Sequence, residues 1–293
     1  MDDMVGTISI DQSLSERPPG EILKSLLDWF KRFESCAVAF SGGVDSSLLA
    51  YAAKVAIGES SIAVLSTSPA TPREEVENAE RIASEIGIRL FIVKQDDLGT
   101  SGYVANLVNR CYFCRSNLAQ AMETLAEGHH AQVCVDGTHA DDMKSPRPGV
   151  KALREAGFRA PFVELGIGKS EIRKVARYVG LSNADRPSEA CLSSRIAFGQ
   201  MIDFQTLQMI ERAEKAVREI TGASTVRVRV IGNGALVEVD FNSVPKALEY
   251  SKDISDQLLE IGFKNVNIAE EGYVSGRMLD LFIKSEEATK TSA

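Results

Sequence analysis

Two groups of residues in this sequence have the types and spacing to do chemistry. The first is the run Ser41-Gly42-Gly43-Val44-Asp45-Ser46-Ser47. Adjacent glycines allow dihedrals and a close backbone approach that side chains would block. Successive N–H groups can then turn into one concavity, and a helix starting there adds positive potential for an anion. Ser41, Ser46 and Ser47 add hydroxyl donors. Asp45 is placed to cap that helix or to meet a magnesium ion carried on phosphates. No lysine follows the glycines, so this is not a Walker A loop, which argues against a γ-phosphate kinase or motor. A second polar run, Gly137-Thr138-His139-Ala140-Asp141-Asp142, offers carboxylates to the same ligand or is a plain solvated loop. His139 reads as a locally packed residue, since nothing beside it completes a proton relay.

The second group is sulfur. Cys36 and Cys134 lie in apolar runs and read as buried small hydrophobes. Cys111-Tyr112-Phe113-Cys114 is a CxxC between Arg110 and Arg115, and Cys191 stands alone four residues before Arg195. A nearby guanidinium and helix start would enrich the Cys191 thiolate, the nucleophilic form. A CxxC alone fits a redox dithiol, half a zinc site or part of an iron–sulfur site. No second CxxC or close histidine completes a zinc site. Three thiolates suit a [4Fe–4S] cluster with one iron left open, and three unligated thiols remain the plain alternative.

These residues need a frame. Short apolar runs at Cys36–Phe40, 61–66, 89–94 and 132–136 alternate with helical periodicity at 20–33, 45–57, 72–86, 115–127, 148–156 and 169–179. That rhythm predicts an α/β fold with a doubly wound, mainly parallel sheet. Ligands in such sheets bind beyond the carboxyl ends of the strands, which puts Gly137 and Asp141 on the crevice of the Ser41 loop. Past Pro187 the rhythm changes. A long amphipathic helix at 204–220 precedes two alternating runs around Gly232-Asn233-Gly234, a hairpin signal. A helix at 244–261 and a strand at 265–268 complete a smaller α+β unit. The expected division is a lead-in at 1–18, a nucleotide domain at 19–186, a C-terminal α+β domain at 187–283 and a tail at 284–293. In the run VRVRV, period-two alternation puts Arg227 and Arg229 on one face, where both could fork onto one phosphate.

With 44% hydrophobic and 25% charged residues, the 293-residue chain has the composition of a globular protein. Its net charge of −8 excludes a general polyanion binder, so nucleic acid is not an expected partner. No apolar run approaches membrane-spanning length, and the acidic N-terminus does not resemble a secretory signal. Five cysteines without such a signal argue against a disulfide framework, and the expected location is the cytoplasm.

The string SGGVDSS resembles the PP-loop of the ATP pyrophosphatase superfamily, in which ATP pyrophosphate is held while a substrate oxygen attacks the α-phosphate. From Cys36 to about Phe198 the chain is similar to the LarE family through SGGVDSS, RCYFCR, GTHADDMKSPRPGVKALREAG, KSEIRKVARYVGL and ACLSSRIAFG. The resemblance implies a sulfur insertase of nickel-pincer nucleotide biosynthesis, the cofactor of lactate racemase. It would use ATP and magnesium to adenylate a carboxylate of pyridinium-3,5-biscarboxylic acid mononucleotide, after which sulfur displaces AMP. It implies ATP contacts at Ser41, Gly42, Gly43, Asp45, Ser46, Ser47, Gly137 and Asp141, with Asp45, Cys191 and Arg195 in the chemistry. Substrate phosphate would meet Arg195, Arg227 and Arg229, with Glu214 a weaker carry-over. In one branch the cysteine at the Cys191 position gives up its own sulfur. In another, cysteines at the Cys111, Cys114 and Cys191 positions hold a [4Fe–4S] cluster carrying a labile sulfide, and all three are present here. A sulfide donor or cysteine desulfurase and a homo-oligomer, such as a hexamer, are the implied partners. Other readings are a PP-loop thiolase acting on tRNA or another small carbonyl compound, and a non-catalytic sulfide carrier. Two departures stand out: the family's Gly-Tyr-Arg is Gly272-Tyr273-Val274 here, with Arg277 nearby, and a frequent tryptophan is Ala184.

Overall fold

Strand β1 (Cys36–Ala39) is apolar at every position and is paired on both sides, by β2 (Ser61–Thr67) and β4 (Val133–Val135). The outer strand β3 (Arg89–Lys94) pairs with β2, giving a fully parallel sheet in the order β3-β2-β1-β4. The computed structural model describes residues 17–144, 147–187, 189–280 and 282–283. The expected tail at 284–293, and all but the last two residues of the expected lead-in, lie outside them.

Helices cover both faces, as the near-continuous burial along β1 and β2 requires. Cys36, Val38, Ala63 and Leu65 point into a core with α1 (Pro19–Phe30), α2 (Val44–Ile57) and α3 (Arg73–Ile86). Their neighbours Ala37, Ile62 and Val64 point the other way. After a short α4 (Ser101–Val104), that second face is covered by α5 (Arg110–Gly128) and α6 (Pro148–Glu155). A one-turn α7 (Pro161–Glu164) leads into α8 (Lys169–Tyr178), which returns to the first face against α1 and α2. The chain runs outward from β1 to β3 and then crosses to β4, so the winding reverses between β1 and β4. The loops leaving those two strands face each other across the gap.

The second sheet is built from α9 (Phe204–Thr221), the antiparallel pair β5 (Val226–Ile231) and β6 (Gly234–Val239), and β7 (Asn265–Ile268), which lies parallel to β6. Leu207, Ile210 and Val217 of α9 pack on Val226, Val228 and Val230, together with Ala70 and Tyr103 from the first half of the chain. No helix among the described residues is long and apolar enough to cross a membrane.

Two expectations need correction. The helix read from Arg115 begins at Arg110, so Cys111 and Cys114 stand three apart in its first turn and share a side. Packing against α6 overrides the weak helical preference of that cysteine and aromatic run: a Cβ on Gly149 would come within 3.3 Å of the Cys111 carbonyl. The helix read over 244–261 is two, α10 (Val244–Glu249) and α11 (Ser251–Ile261), joined at Tyr250. Ala247 of the first and Ile254 and Leu258 of the second thereby reach the same core.

The turn from β1 into α2 depends on Gly42, at φ 71°, where an added Cβ would lie 2.7 Å from the Ala79 Cα of α3. Gly42→Ala is expected to destabilise the protein by at least about 1 kcal/mol, from the left-handed backbone alone. Urea denaturation of the two proteins measures this, and an unchanged midpoint would contradict it.

Candidate active site

The loop between β1 and α2 is tied together by its own polar atoms. The Ser41 amide donates to the Ser46 hydroxyl at 3.1 Å, and that hydroxyl donates to the Gly43 carbonyl at 3.1 Å. From behind, the Gly42 carbonyl accepts from Asn183 at 2.8 Å and Asn78 at 3.1 Å, and Asn183 also donates to the Ser47 hydroxyl at 2.9 Å. No side chain caps the first turn of α2, although Asp45 is placed to do so by sequence. The N-terminal amides are left for an anion instead. Across the gap, a Cβ on Gly137 would lie 3.2 Å from the Asp45 Cβ, so a glycine is what lets the β4 loop approach this closely.

Asp45 has another partner. Both its oxygens lie 2.6 Å from the Lys169 ammonium, and the Lys169 amide donates to Asp141 at 2.8 Å. Hydrogen bonds from the Lys144 side chain and from the Lys169 amide hold the Asp141 carboxyl below its ordinary range. The β1 loop, the β4 loop and the start of α8 thus meet at one residue, Lys169, through its ammonium on one side and its backbone amide on the other. Sequence reasoning did not single out Lys169. Its signal is electrostatic: a lysine at the first position of a helix opposes the macrodipole, so it stands there for some other reason.

Cys114 packs against the second core, and Cys111 and Cys191 are near enough to act on its charge. Cys111 and Cys191 are exposed and Cys114 is half-buried. Burial, the charge of Asp97 and the nearness of Cys191 and Cys111 push the Cys114 thiol up to about 12. Gln95 donates to the Cys114 carbonyl at 2.6 Å. The Cys191 segment is fixed by the Leu192 amide donating to Ala70 at 2.9 Å and by Tyr103 and Ser193, whose hydroxyls lie 2.5 Å apart. Arg195 donates to the Cys191 carbonyl at 3.0 Å.

Arg195, Arg227 and Arg229 are buried, at 1%, 3% and 6% exposure, so none is a solvated surface cation. Each meets a carboxylate: Arg195 with Glu214 at 2.8 and 3.1 Å, Arg227 with Glu189 at 2.6 Å, and Arg229 with Glu238 at 2.9 Å. Burial works against the charge on Arg195, yet Glu214 outweighs it and holds the guanidinium above its ordinary range. Glu214 therefore reaches the site through Arg195, and it also accepts the Val228 amide at 3.0 Å. Arg277 pairs with Glu238 as well, and the Tyr273 ring lies 5.5 Å from Arg227 and 5.9 Å from Arg229. Glu189 and Glu238 carry no motif, and their importance is visible only once the chain is folded.

A parallel sheet wound both ways about β1, with a glycine-serine loop opening onto a helix start at its reversal point, defines a PP-loop ATP-using enzyme. The NAD synthase family model matches residues 22–112. The chain is 36% identical to a Synechocystis sp. protein described as uncharacterized, over 87% of this chain and 96% of that one. It is 29% identical to the pyridinium-3,5-bisthiocarboxylic acid mononucleotide synthase of Lactiplantibacillus plantarum, over 90% and 96% of the two chains. A glutamine-hydrolyzing GMP synthase chain of Archaeoglobus fulgidus is 26% identical over 62% of this chain and 63% of its own length. The chain belongs to the LarE family, and it is an ATP-dependent sulfur transferase of that type.

Two outcomes follow from this geometry. Lys169→Met leaves Asp45 without its charged partner, and pyrophosphate release from ATP is expected to fall by about tenfold or more. A release rate equal to wild type would exclude a role for Lys169 at the phosphates. Thiol reactivity should also divide the cysteines. Burial pushes the Cys36 thiol up to about 12, so it stays protonated at pH 8. Iodoacetamide at pH 8 is expected to modify Cys111 and Cys191 within minutes and Cys36 only after denaturation, as read by peptide mass spectrometry.

Proposed function

We propose that this enzyme adenylates a carboxylate of pyridinium-3,5-biscarboxylic acid mononucleotide and replaces one of its oxygens with sulfur. One observation carries the reading: the exposed Cys191 sits in a segment whose carbonyls are gripped by Arg195 and Arg229, so a sulfur nucleophile and a guanidinium cluster share one wall. The substrate class rests on the L. plantarum relative, whose name specifies a pyridinium bisthiocarboxylic acid mononucleotide.

In this reading residues 19–186 hold ATP and residues 187–283 present Cys191 and hold the substrate. The triphosphate lies on the amides of Gly42, Gly43 and the first turn of α2, with Ser41, Ser46 and Ser47 as hydroxyl donors and Gly137 giving access. Asp45 and Asp141 would hold magnesium with the phosphate oxygens, which fits two oxygen donors on facing loops. A substrate carboxylate oxygen attacks the α-phosphorus, the bond to the β-phosphate oxygen breaks, and pyrophosphate leaves with Lys169 beside its developing charge; magnesium, when bound, would neutralise more of that charge. The acyl carbon now carries AMP, a far better leaving group than oxide. A sulfur nucleophile adds there, AMP departs, and a thiocarboxylate remains. Arg195, Arg227 and Arg229 orient the substrate phosphate. Their carboxylate partners keep the guanidinium planes in place before it arrives.

Cys111, Cys114 and Cys191 would serve as the ligands of a [4Fe–4S] cluster: Cys111 and Cys114 share a side of the first turn of α5, and Cys111 and Cys191 are open to solvent. Among the described residues no three His, Cys, Asp or Glu side chains converge on a single-ion position. A cubane does not ask for one, since each thiolate takes its own iron. When bound, such a cluster supplies a transferable sulfide, renewed by a sulfide donor or cysteine desulfurase, and so allows repeated turnover.

Anaerobic reconstitution with iron and sulfide, read by absorbance and iron counting, tests this. Wild type is expected to take up about four irons and Cys111→Ala far fewer. Wild type without iron, together with loss of the mass of hydrogen sulfide from Cys191 during turnover, would replace the cluster by a sacrificial cysteine.

A further inference from the structure

Between the two sulfur-bearing segments stands Asn106, fully buried and held at φ 52°, a left-handed conformation uncommon for a residue with a side chain. Its side-chain amide donates at 2.9 Å to the carbonyls of both Ala197 and Gln200, on the stretch that follows Cys191. Its side-chain oxygen accepts from Arg110, the first residue of α5 and the neighbour of Cys111. Its backbone carbonyl accepts the Gly199 amide at 3.0 Å, and its amide donates to Tyr103 at 3.0 Å. Tyr103 in turn meets Ser193. Arg110 is itself buried, lies 5.1 Å from the Phe198 ring and has no carboxylate partner among the described residues. A buried guanidinium left in that state is costly, so the contacts that hold it are specific.

We propose that Asn106 is a positioning residue for the sulfur step, a joint that sets the CxxC turn of α5 at a fixed distance from Cys191. Each arm of its carboxamide binds one of the two segments, and neither arm touches the phosphate loop. The strained backbone is what aims both arms at once. The inference rests on the reading that the three thiols act together, and not on what they hold.

The test separates those two. Apo protein is treated with diamide, which takes two electrons and two protons from a thiol pair as the disulfide forms and is reduced to the hydrazine. Disulfides linking Cys191 to Cys111 or Cys114 are then timed by peptide mass spectrometry. Asn106→Gly keeps the left-handed backbone and removes both arms. Asn106→Asp keeps the shape and the Arg110 contact but removes the donor to Ala197 and Gln200. Both variants are expected to cross-link at least about tenfold more slowly than wild type, the scale of losing two buried hydrogen bonds. Substrate-dependent pyrophosphate release should stay at the wild-type rate in both, which a general loss of fold would not allow. Cross-linking at the wild-type rate in either variant overturns the proposal. So does a parallel fall in pyrophosphate release in both, or a wild type that does not cross-link at all. If wild type cross-links but takes up no iron, the cluster reading fails and the joint stands.

Discussion

Everything at the nucleotide end depends on the Gly42 carbonyl being held from behind. Two amides, from Asn78 on α3 and from Asn183 beyond α8, donate to it, and the loop's own serines bind its remaining polar atoms. The Gly43 amide donates to the Ser41 hydroxyl at 3.3 Å, and no side-chain cap occupies the first turn of α2 beyond it. An anion site of this kind works because it is preorganised: the dipoles already point at the ligand and nothing must reorient when charge develops. The glycine is required twice, for its dihedral and for the approach of α3.

Charge is handled differently at the two ends of the site. At the loops the groups are half-exposed, and Lys169 joins two carboxylates, Asp45 through its ammonium and Asp141 through its backbone amide. Under the second sheet the guanidinium groups are almost wholly buried, and each is matched by a glutamate. Such buried pairs contribute little net stability, because desolvation offsets most of the attraction. What they provide is fixed orientation. Arg195 shows both sides of this, since the side chain locked by Glu214 also clasps the Cys191 carbonyl. The second core reinforces the arrangement by borrowing Ala70 and Tyr103 from the first half of the chain, so the sulfur-bearing segment is clamped between the two halves.

Local pattern made most of the frame legible. The four parallel strands, the crossover helices and the Gly232-Asn233-Gly234 hairpin were readable because strand and helix periods differ and because two-residue turns have few solutions. Where the reading slipped, tertiary packing had overruled local preference. The start of α5 is helical because α6 lies against it, and the long helix after Val244 bends at Tyr250 to bring two apolar faces onto one core.

For the site, the sequence by itself determined which chemistry is available: a phosphate-binding loop, three candidate sulfur ligands and a pair of in-phase arginines. Those are properties of residue type and short spacing, and they survive without a fold. Only the tertiary structure decided who partners whom. Lys169 on Asp45, Glu214 on Arg195, Glu238 on Arg229 and the Asn106 amide on Ala197 and Gln200 join positions that lie 9 to 124 residues apart. No local signal encodes such pairings, because each partner is an ordinary polar residue until folding brings the other within reach and makes its hydrogen bond or counter-charge available.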